Sequence, residues 1–527
     1  MTCESVKFIS RFFIMIYRRL LFGWILFVCL PMALSAQRIT YSEPDREDIR
    51  QVRFEVIGKI GSQYLVYKNT HSRHFISIYD QDMRLVKNTN LDLLNDRLIN
   101  IDFIPYRDYA YMVYQYQKKG VVFCMGLKIA GDGSALGEPV TIDTTQVGTF
   151  GDDKIYSTVY SEDKSKIMVF KIKGRNTDYL AFTTLLLDDQ LGVLKKTRFT
   201  FRVDKQLDLL TDFYVDNDGD FVFGRCERNG ARDNIVHLTL AMKPALGDSL
   251  QTLPVNMNGV LLDQVKLKID NFNNRFILNS FYTTQRHGNI DGLFNAIVDK
   301  SGKNPVTMDT ISFSQELRTQ AKGENGMRTA FNDYFIKHVI VTKDKGFLVT
   351  AESEYSSSRG TPWNRYDYLY GNGAYSPYDY YSYSPYSNYG WGPYNRFGYP
   401  YYVPVRYYSD NIMLFALDQD GKLEWTNVIP KSQFDDDDDS RLSFQIMLQG
   451  GALHFMYNEW SRRTPILTDD AVTPDGKMNR QPPFHNLDRG YEFLIRHAKQ
   501  VNASQMLVPC MYRNSIAFAL VDFDVAP

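Results

Sequence analysis

The sequence predicts an all-β fold, a β-propeller of seven or eight four-stranded blades that carries a long Tyr-rich insertion loop. Three observations support this prediction. Short runs of alternating apolar and polar residues recur along the chain, turn residues separate them, and the pattern repeats about every 50 residues. Aromatic residues also make up 14% of the 527 residues, and such side chains favour the half-buried surface of a sheet.

The first half of the repeat is a hairpin, in which two alternating runs surround a short polar turn. It begins as FEVIGKIGSQYLVYKN at Phe54 and returns as DFYVDNDGDFVFGRC at Asp212 and LSFQIMLQGGALHFMYNE at Leu442. Alternation with period two is typical of half-buried strands, and Asp, Asn, Gly and Ser suit short hairpin turns. The sequence therefore predicts hairpin turns near residues 61, 107, 163, 218, 272, 344 and 449.

The second half of the repeat is another strand, an Asp/Gly turn and an outer strand. Examples are FISIYDQDMRLVKN from Phe75, LLLDDQLGVLKKTRF from Leu185 and IMLFALDQDGKLEWTNVIP from Ile412. One such sheet cannot bury both faces alone, whereas a closed ring of sheets can. Seven units are evident, and the tail from Met506 either completes the seventh blade or belongs to an eighth. Two β-sandwich domains are the competing architecture.

The N-terminus has the order of a secretory signal peptide. Basic residues from Lys7 to Arg19 precede an apolar run, Leu20 to Leu30, and small residues precede Gln37. The alternative is a single membrane anchor, although the run is short for one. We therefore expect a signal peptide at 1–36, an N-terminal segment at 37–52, a propeller at 53–527, and location in the periplasm or at the cell surface. Loss of residues 1–36 changes the formal net charge from −1 to −4, which gives no support for nucleic-acid binding.

A low-complexity segment of Tyr, Gly, Pro, Ser and Asn interrupts the sixth unit between its second and third strands, at about 355–408. Pro and Gly disfavour a regular ladder there, so the segment is predicted to be a loop. Tyr and Trp offer rigid contact area for a protein or a glycan. The alternatives are a solvated segment and packing against the propeller. The candidate partner-binding residues are Trp363, Tyr366, Tyr368, Tyr380, Tyr381, Trp391, Tyr401 and Tyr402.

The sequence offers little catalytic or metal chemistry. Cys124, Cys226 and Cys510 remain after signal removal and are predicted to be buried free thiols. The pair His71 and His74, the DNDGD segment at 216–220 and the acidic run 435–439 could be read as metal sites, but turns and solvated loops explain them as well. No catalytic motif lies in its required context. The sequence therefore singles out no catalytic, cofactor-binding or metal-ligating residue.

The unit ALDQDGKLEW, from Ala416 to Trp425, resembles the blade signature of quinoprotein-like propellers. Trp occupies that place in only one of the seven units, so the resemblance implies the blade and gives no ground to infer a quinone cofactor. The chain over residues 50–527 also resembles exported propeller-like proteins of Gram-negative gliding and gut bacteria, of the Bacteroidetes type. That resemblance implies an envelope protein and no particular activity.

Three functions are open at this stage. The first is a non-catalytic binding or scaffold protein of the cell envelope, with a rigid propeller and a Tyr-rich contact loop. The second is a carbohydrate-active hydrolase, which requires a pair of carboxylates in the propeller channel. The third is a surface component that associates with itself through the Tyr-rich loop. An envelope protein or a glycan is the expected partner.

Overall fold

The computed structural model describes residues 38–523 except 71–72, 95–97, 148–153, 175–177, 205, 303, 323–330, 332, 359–363, 371–404, 437–438, 462–463, 482–483 and 485–489. The described residues form 35 β-strands and two short α-helices, α1 (Gln315–Gln320) and α2 (Arg365–Tyr370), with single 3-10 turns at Ile49–Gln51 and Ile495–His497. None of the helices in these residues is long and apolar enough to cross a membrane.

The first four blades are antiparallel sheets formed by consecutive strands. Blade 1 is β2 (Val52–Ile60), β3 (Gln63–Thr70), β4 (Arg73–Tyr79) and β5 (Leu85–Asn90). Blade 2 is β6 (Leu98–Pro105), β7 (Tyr109–Lys118), β8 (Val121–Ala130) and β9 (Val140–Gln146). Blade 3 is β10 (Ser157–Tyr160), β11 (Lys166–Lys173), β12 (Tyr179–Asp188) and β13 (Val193–Arg202). Blade 4 is β14 (Asp208–Leu210) with β15 (Tyr214–Val215), then β16 (Phe221–Arg228), β17 (Ile235–Lys243) and β18 (Gln251–Val255).

The short strand β19 (Leu261–Leu262) pairs with both blade 4 and blade 5. Blade 5 is β20 (Lys266–Asp270), β21 (Arg275–Thr283), β22 (Gly292–Asp299) and β23 (Thr307–Ser312). Blade 6 is β24 (Tyr334–Val341), β25 (Phe347–Ser358), β26 (Val405–Leu417) and β27 (Leu423–Asp436). Blade 7 is β28 (Phe444–Gln449), β29 (Ala452–Ser461), β30 (Thr464–Val472) and β31 (Met478–Arg480). Blade 8 is β32 (Tyr491–Phe493) with β33 (Lys499–Gln500), then β34 (Gln505–Tyr512), β35 (Ser515–Asp522) and β1 (Arg38–Tyr41).

The blades form a closed ring. The described residues contain eight apolar clusters, and each cluster joins one blade to the next, including blade 8 to blade 1. In the cluster between blades 8 and 1, Val56 and Tyr64 pack with Leu507 and Phe518. Because every sheet has both faces covered by its neighbours, the architecture is an eight-bladed β-propeller and the two-sandwich alternative is wrong.

The first strand of each blade lies nearest the axis. First strands of neighbouring blades contact each other: β2 contacts β6, and β20 contacts β24. The fourth strands carry exposed apolar side chains, such as Leu85, Val140 and Val193. First-strand side chains that are not packed between blades therefore face the central channel, and the fourth strands form the outer rim.

The two ends of the chain close the ring together. Strand β1 is antiparallel to β35, with Arg38 opposite Asp522 and Tyr41 opposite Ala519. Part of the predicted N-terminal segment 37–52 is therefore the outer strand of blade 8. The chain from Met506 forms the middle of this eighth blade, and it does not complete the seventh.

The predicted hairpin turns are confirmed, and aspartate side chains hold several turns of the repeat. In three turns, the Oδ1 atom of an aspartate accepts hydrogen bonds from the backbone N–H groups two and four residues later, at 2.7–2.9 Å; these aspartates are Asp80, Asp188 and Asp418.

Since strands alternate in direction, the turns between first and second strands share one end of the propeller, called here the turn face. The loops between second and third strands lie at the other end, called here the insertion face.

Candidate functional site

The Tyr-rich insertion leaves the propeller between β25 and β26, on the insertion face, as predicted. Of the eight candidate partner-binding residues, Tyr366 is described in full and Tyr368 lies in α2. Tyr366 is nearly buried: its ring centroid lies 4.6 Å from that of His287, and its hydroxyl donates to the carbonyl of Gly288 at 3.1 Å. This residue packs against blade 5. Trp363, Tyr380, Tyr381, Trp391, Tyr401 and Tyr402 lie outside the described residues, so their role stays a prediction.

Arg365 attaches α2 to the propeller. Its guanidinium lies 3.0 Å from Oδ2 of Asp263, donates to the carbonyl of Tyr334 at 2.6 Å, and stacks 4.3 Å from the ring centroid of Phe335. Asn234 donates to the other carboxylate oxygen of Asp263 at 2.8 Å. Burial raises the pKa of Asp263, an effect that Arg365 opposes. The beginning of the insertion is thereby fixed to blades 4, 5 and 6.

Strands β25, β26 and β27 extend beyond the blade as a three-stranded arm, formed by Tyr355–Ser358, Val405–Ser409 and Ser432–Asp436 and called here the insertion arm. The register breaks between Glu352 and Glu354 and between Asp410 and Ile412, where the arm leaves the blade. Both roots of the insertion therefore lie on paired strands.

Aromatic rings line one face of the insertion arm. The ring centroids of Tyr355 and Tyr408 are 4.4 Å apart in a stacked arrangement, and Phe434 lies 6.4 Å from Tyr408. Arg406 lies 4.8 Å from the ring centroid of Phe434 and pairs with Asp436 at 2.7 Å. Phe434 is 51% exposed, so this ladder presents an aromatic edge to solvent.

The DNDGD segment, a candidate metal site in the sequence, holds the ammonium group of a lysine. Nζ of Lys300 lies 2.6 Å from Asp216, 2.5 Å from Asp218 and 3.0 Å from Asp220. These carboxylates raise the pKa of Lys300 well above its ordinary value, although burial opposes them. Gly219 has a φ of +95°, as a tight turn requires. The segment is therefore a turn closed by an internal ion cluster, in which Lys300 pairs with the carboxylates that a calcium ion would need.

The other metal alternatives are also accounted for by protein partners. His74 is buried, and its Nδ1 lies 2.7 Å from the hydroxyl of Tyr67, while His71 lies outside the described residues. Three members of the acidic run form ion pairs: Asp435 with Arg441, Asp436 with Arg406 and Asp439 with Arg496. The described residues contain no group of three or more His, Cys, Asp or Glu side chains suited to a metal.

Charged side chains converge in the channel near blades 8, 1, 2 and 3, in a group called here the Glu55 cluster. Glu55 lies on β2, Asp102 on β6, Tyr160 on β10, Lys154 just before β10 and Lys499 on β33. Burial raises the pKa of Glu55 to about 7, an effect that Lys499 and Lys154 oppose and Asp102 reinforces. Tyr160 interacts with Glu55 as well, although blade 2 lies between their strands.

Two polar side chains, Lys499 and Asn100, fix the geometry of the Glu55 cluster. Nζ of Lys499 donates to the carbonyls of Val56 and Ile57, at 3.1 Å each, where β2 bulges between Val56 and Gly58. Nδ2 of Asn100 donates to Asp102 at 2.9 Å. Among the described residues, by contrast, no group donates a hydrogen bond to the Glu55 carboxylate. Two carboxylates therefore lie on neighbouring first strands, and one of them, Glu55, is half-buried and accepts no hydrogen bond from the described residues.

A second set of channel groups belongs to blades 5 and 6. His338 is an exposed side chain on β24, yet desolvation lowers its pKa to about 4, with further effects of Lys337 and Lys266. Behind it, Glu352 is fully buried against Lys431 at 2.8 Å and accepts from the hydroxyls of Ser409 at 2.6 Å and Ser443 at 2.5 Å. The Glu352 carboxylate is therefore paired and hydrogen-bonded within the protein.

Sequence reasoning did not single out the channel residues. A signal was present, because Glu55 in FEVI and Asp102 in IDFI each place one carboxylate between apolar residues of a first strand. Only the closed ring shows that these positions face a common channel and not bulk solvent.

No protein-family model matches the chain, and no curated protein matches its sequence. Among solved structures, prolyl oligopeptidase B from Galerina marginata is 8% identical with a TM-score of 0.39, over 88% of this chain and 56% of that one. Oligopeptidase B from Leishmania major is 9% identical with a TM-score of 0.37, over 89% of this chain and 54% of that one. Synechocystis apocarotenoid oxygenase is 9% identical with a TM-score of 0.30, over 91% of each chain.

This chain thus spans little more than half the length of the two oligopeptidases. At such TM-scores the similarities carry no argument about its activity, and the fold rests on its own eight blades.

Proposed function

We propose that the protein is a non-catalytic binding or scaffold protein of the cell envelope, which presents its Tyr-rich insertion to a protein or a glycan. The observation that carries the proposal is the buried ion pair between Arg365 and Asp263, which fixes the first helix of the insertion to the rigid ring. The insertion arm supports the other end on paired strands. Export to the periplasm or the surface rests on the signal-peptide pattern of residues 1–36.

Rigid attachment matters because a long flexible loop loses conformational entropy when it binds. A loop whose ends are both held loses less, and exposed aromatic rings add contact area with few torsions to restrict. The insertion would then be the contact surface, and the eight blades would set its position.

The test is a variant in which a short Gly-Ser linker replaces residues 371–404, so that α2 and the insertion arm are kept. We expect an unchanged melting temperature and loss of the partners that copurify with the tagged protein from its own envelope. Copurification of the same partners in the same amounts would refute the role of the insertion in partner binding.

Analytical ultracentrifugation of both proteins reports self-association, and loss of a self-associated state in the variant would favour a structural surface component.

Arg365 offers a matched pair of variants. Arg365→Met leaves the Asp263 carboxylate buried without its partner, which costs about 3–5 kcal/mol for such pairs. The double variant Arg365→Met with Asp263→Asn removes both charges and should recover part of that loss. Hydrogen exchange of residues 364–370 should be faster in the single variant. Unchanged exchange there would show that the ion pair does not hold α2.

A carbohydrate-active hydrolase is the second candidate. It is favoured by one observation, the two carboxylates Glu55 and Asp102 on neighbouring first strands, one of which has a raised pKa. Hydrolysis of a glycosidic bond needs such a pair, one member acting as an acid and the other as a nucleophile or base. Release of reducing ends by the wild type, abolished in Glu55→Gln and in Asp102→Asn, would establish this function.

A further inference from the structure

The Glu55 cluster has the composition of a ligand site. Its charged members are two carboxylates, Glu55 and Asp102, and two ammonium groups, Lys154 and Lys499, and these come from four different blades. Lys499 already donates to two backbone carbonyls and Asp102 already accepts from Asn100. Such partners hold the groups in place without covering the Glu55 carboxylate.

We propose that the channel wall at the Glu55 cluster binds an uncharged saccharide. The site is distinct from the Tyr-rich insertion, and the proposal goes beyond the scaffold function. Binding is inferred here, and it holds whether or not the saccharide is cleaved.

The charges of the cluster favour an uncharged ligand. Carboxylates and ammonium groups of both signs lie together, so a polyanion would meet like charge at the carboxylates and a polycation would meet like charge at the ammonium groups. A sugar hydroxyl both donates and accepts, and it can therefore pair with carboxylates and ammonium groups alike. Polar groups that converge in a concave wall are typical of sites for small ligands.

Tyr160 supplies a ring for the face of a sugar. It lies on the first strand of blade 3, and 41% of its surface is exposed even though desolvation raises its pKa. An exposed ring inside an enclosed channel has an apolar face and a polar tip, the combination that suits a pyranose ring. Tyr179, on the third strand of the same blade, is 51% exposed and provides a matched control.

Binding should be linked to a proton. A saccharide placed against Glu55 removes water from a carboxyl group that is half protonated near pH 7, which favours the neutral form further. Groups from three other blades act on this carboxyl: Lys499 from blade 8, Asp102 from blade 2, and Lys154 and Tyr160 from blade 3. On its own blade, Tyr67 interacts with Glu55, and Arg53 interacts with Tyr67. Affinity should therefore fall as the pH rises from 6 to 8.

The experiment is calorimetric titration of the mature protein with maltohexaose, mannohexaose and chitohexaose, repeated with the variant that lacks residues 371–404. We expect at least one of the three to bind both proteins, with at least threefold weaker affinity at pH 8 than at pH 6. Binding to the wild type alone would place the saccharide on the insertion and would overturn the channel site, while leaving the scaffold function intact.

Three variants complete the test. Tyr160→Ala should weaken binding about tenfold, while Tyr179→Ala should leave it unchanged. Glu55→Gln imitates the neutral carboxyl group, so it should keep the affinity measured at pH 6 and lose the pH dependence. The proposal fails if none of the hexasaccharides binds, if Tyr160→Ala has no effect, or if an oligogalacturonide or trilysine binds more tightly than the neutral sugars.

Discussion

Nζ of Lys68 lies 2.7 Å from Oδ2 of Asp45 and joins the two ends of the ring. Lys68 is on the second strand of blade 1, and Asp45 follows the strand that completes blade 8. The hydroxyl of Tyr79 also lies 2.8 Å from Nζ. The same arrangement joins blade 3 to blade 2, where Nζ of Lys171 lies 2.6 Å from Oδ2 of Asp143. The hydroxyl of Tyr156 also contacts this Nζ atom. A lysine of one blade thus reaches a carboxylate at the rim of the preceding one.

The first prediction concerns this closure. The side chain of Lys68 is 2% exposed, so Lys68→Ala leaves Asp45 without its partner and should lower the free energy of unfolding by about 3–5 kcal/mol. Lys87→Ala is the control, because Lys87 is 52% exposed and its pair with Asp132 spans 4.0 Å; its effect should stay within about 0.5 kcal/mol. Urea denaturation measures both values. Equal effects of the two variants would contradict the role assigned to Lys68.

The second prediction concerns Lys300 and its three aspartates. Lys300→Met keeps most of the aliphatic stem and removes the charge, which leaves Asp216 buried next to Asp220 and should cost about 2–4 kcal/mol. Lys343→Met, at an exposed turn, should cost little. The wild type should melt at the same temperature with calcium and with a chelator, because the ammonium group occupies the carboxylates. A higher melting temperature in calcium would show that a metal displaces Lys300.

The third prediction is a pH dependence of stability. The pKa of Glu55 is raised from 4.5 to about 7 in the folded protein, so the folded state binds the proton more tightly than the unfolded state does. The stability linked to this proton is fully present below pH 4.5 and is lost as the pH rises through 7. Between pH 5 and 8 the wild type should lose roughly 1–3 kcal/mol relative to Glu55→Gln, at about 1.4 kcal/mol per pKa unit.

Glu138→Gln is the control for that measurement, since Glu138 is exposed on an outer loop of blade 2. Its stability should follow the wild type at every pH. If Glu55→Gln also follows the wild type throughout, then Glu55 has an ordinary pKa and the channel does not desolvate it.

The fourth prediction concerns the cysteines. Cys124, Cys226 and Cys510 are free and buried, which confirms the sequence prediction. Burial raises the pKa of all three thiols, that of Cys226 to about 12. Because the thiolate is the reactive form, a native protein that begins at residue 37 should not react with Ellman's reagent, and all three of its thiols should react after unfolding. Rapid labelling of one cysteine in the native state would contradict the buried positions.

Local patterns in the sequence determined most of the fold. The alternating runs gave the strands, and residues such as Asp80, Asp188 and Asp418 marked turns because their side chains bond to the backbone a few residues away. Hairpin pairing is local, so the sequence shows it. The same reasoning placed the insertion between the second and third strands of the sixth blade and identified the three buried thiols.

The tertiary structure decided what depends on distant contacts. The count of eight blades required β1 to pair with β35, more than 470 residues later, and no local pattern specifies such a partner. Lys300 could be recognised as the cation of the DNDGD segment only when neighbouring blades were in contact. Glu55, Asp102, Tyr160 and Lys499 likewise lie far apart in the chain, and closure of the ring alone brings them into one channel. Their environment follows from that closure, because desolvation and nearby charge are properties of the assembled ring and not of any one strand.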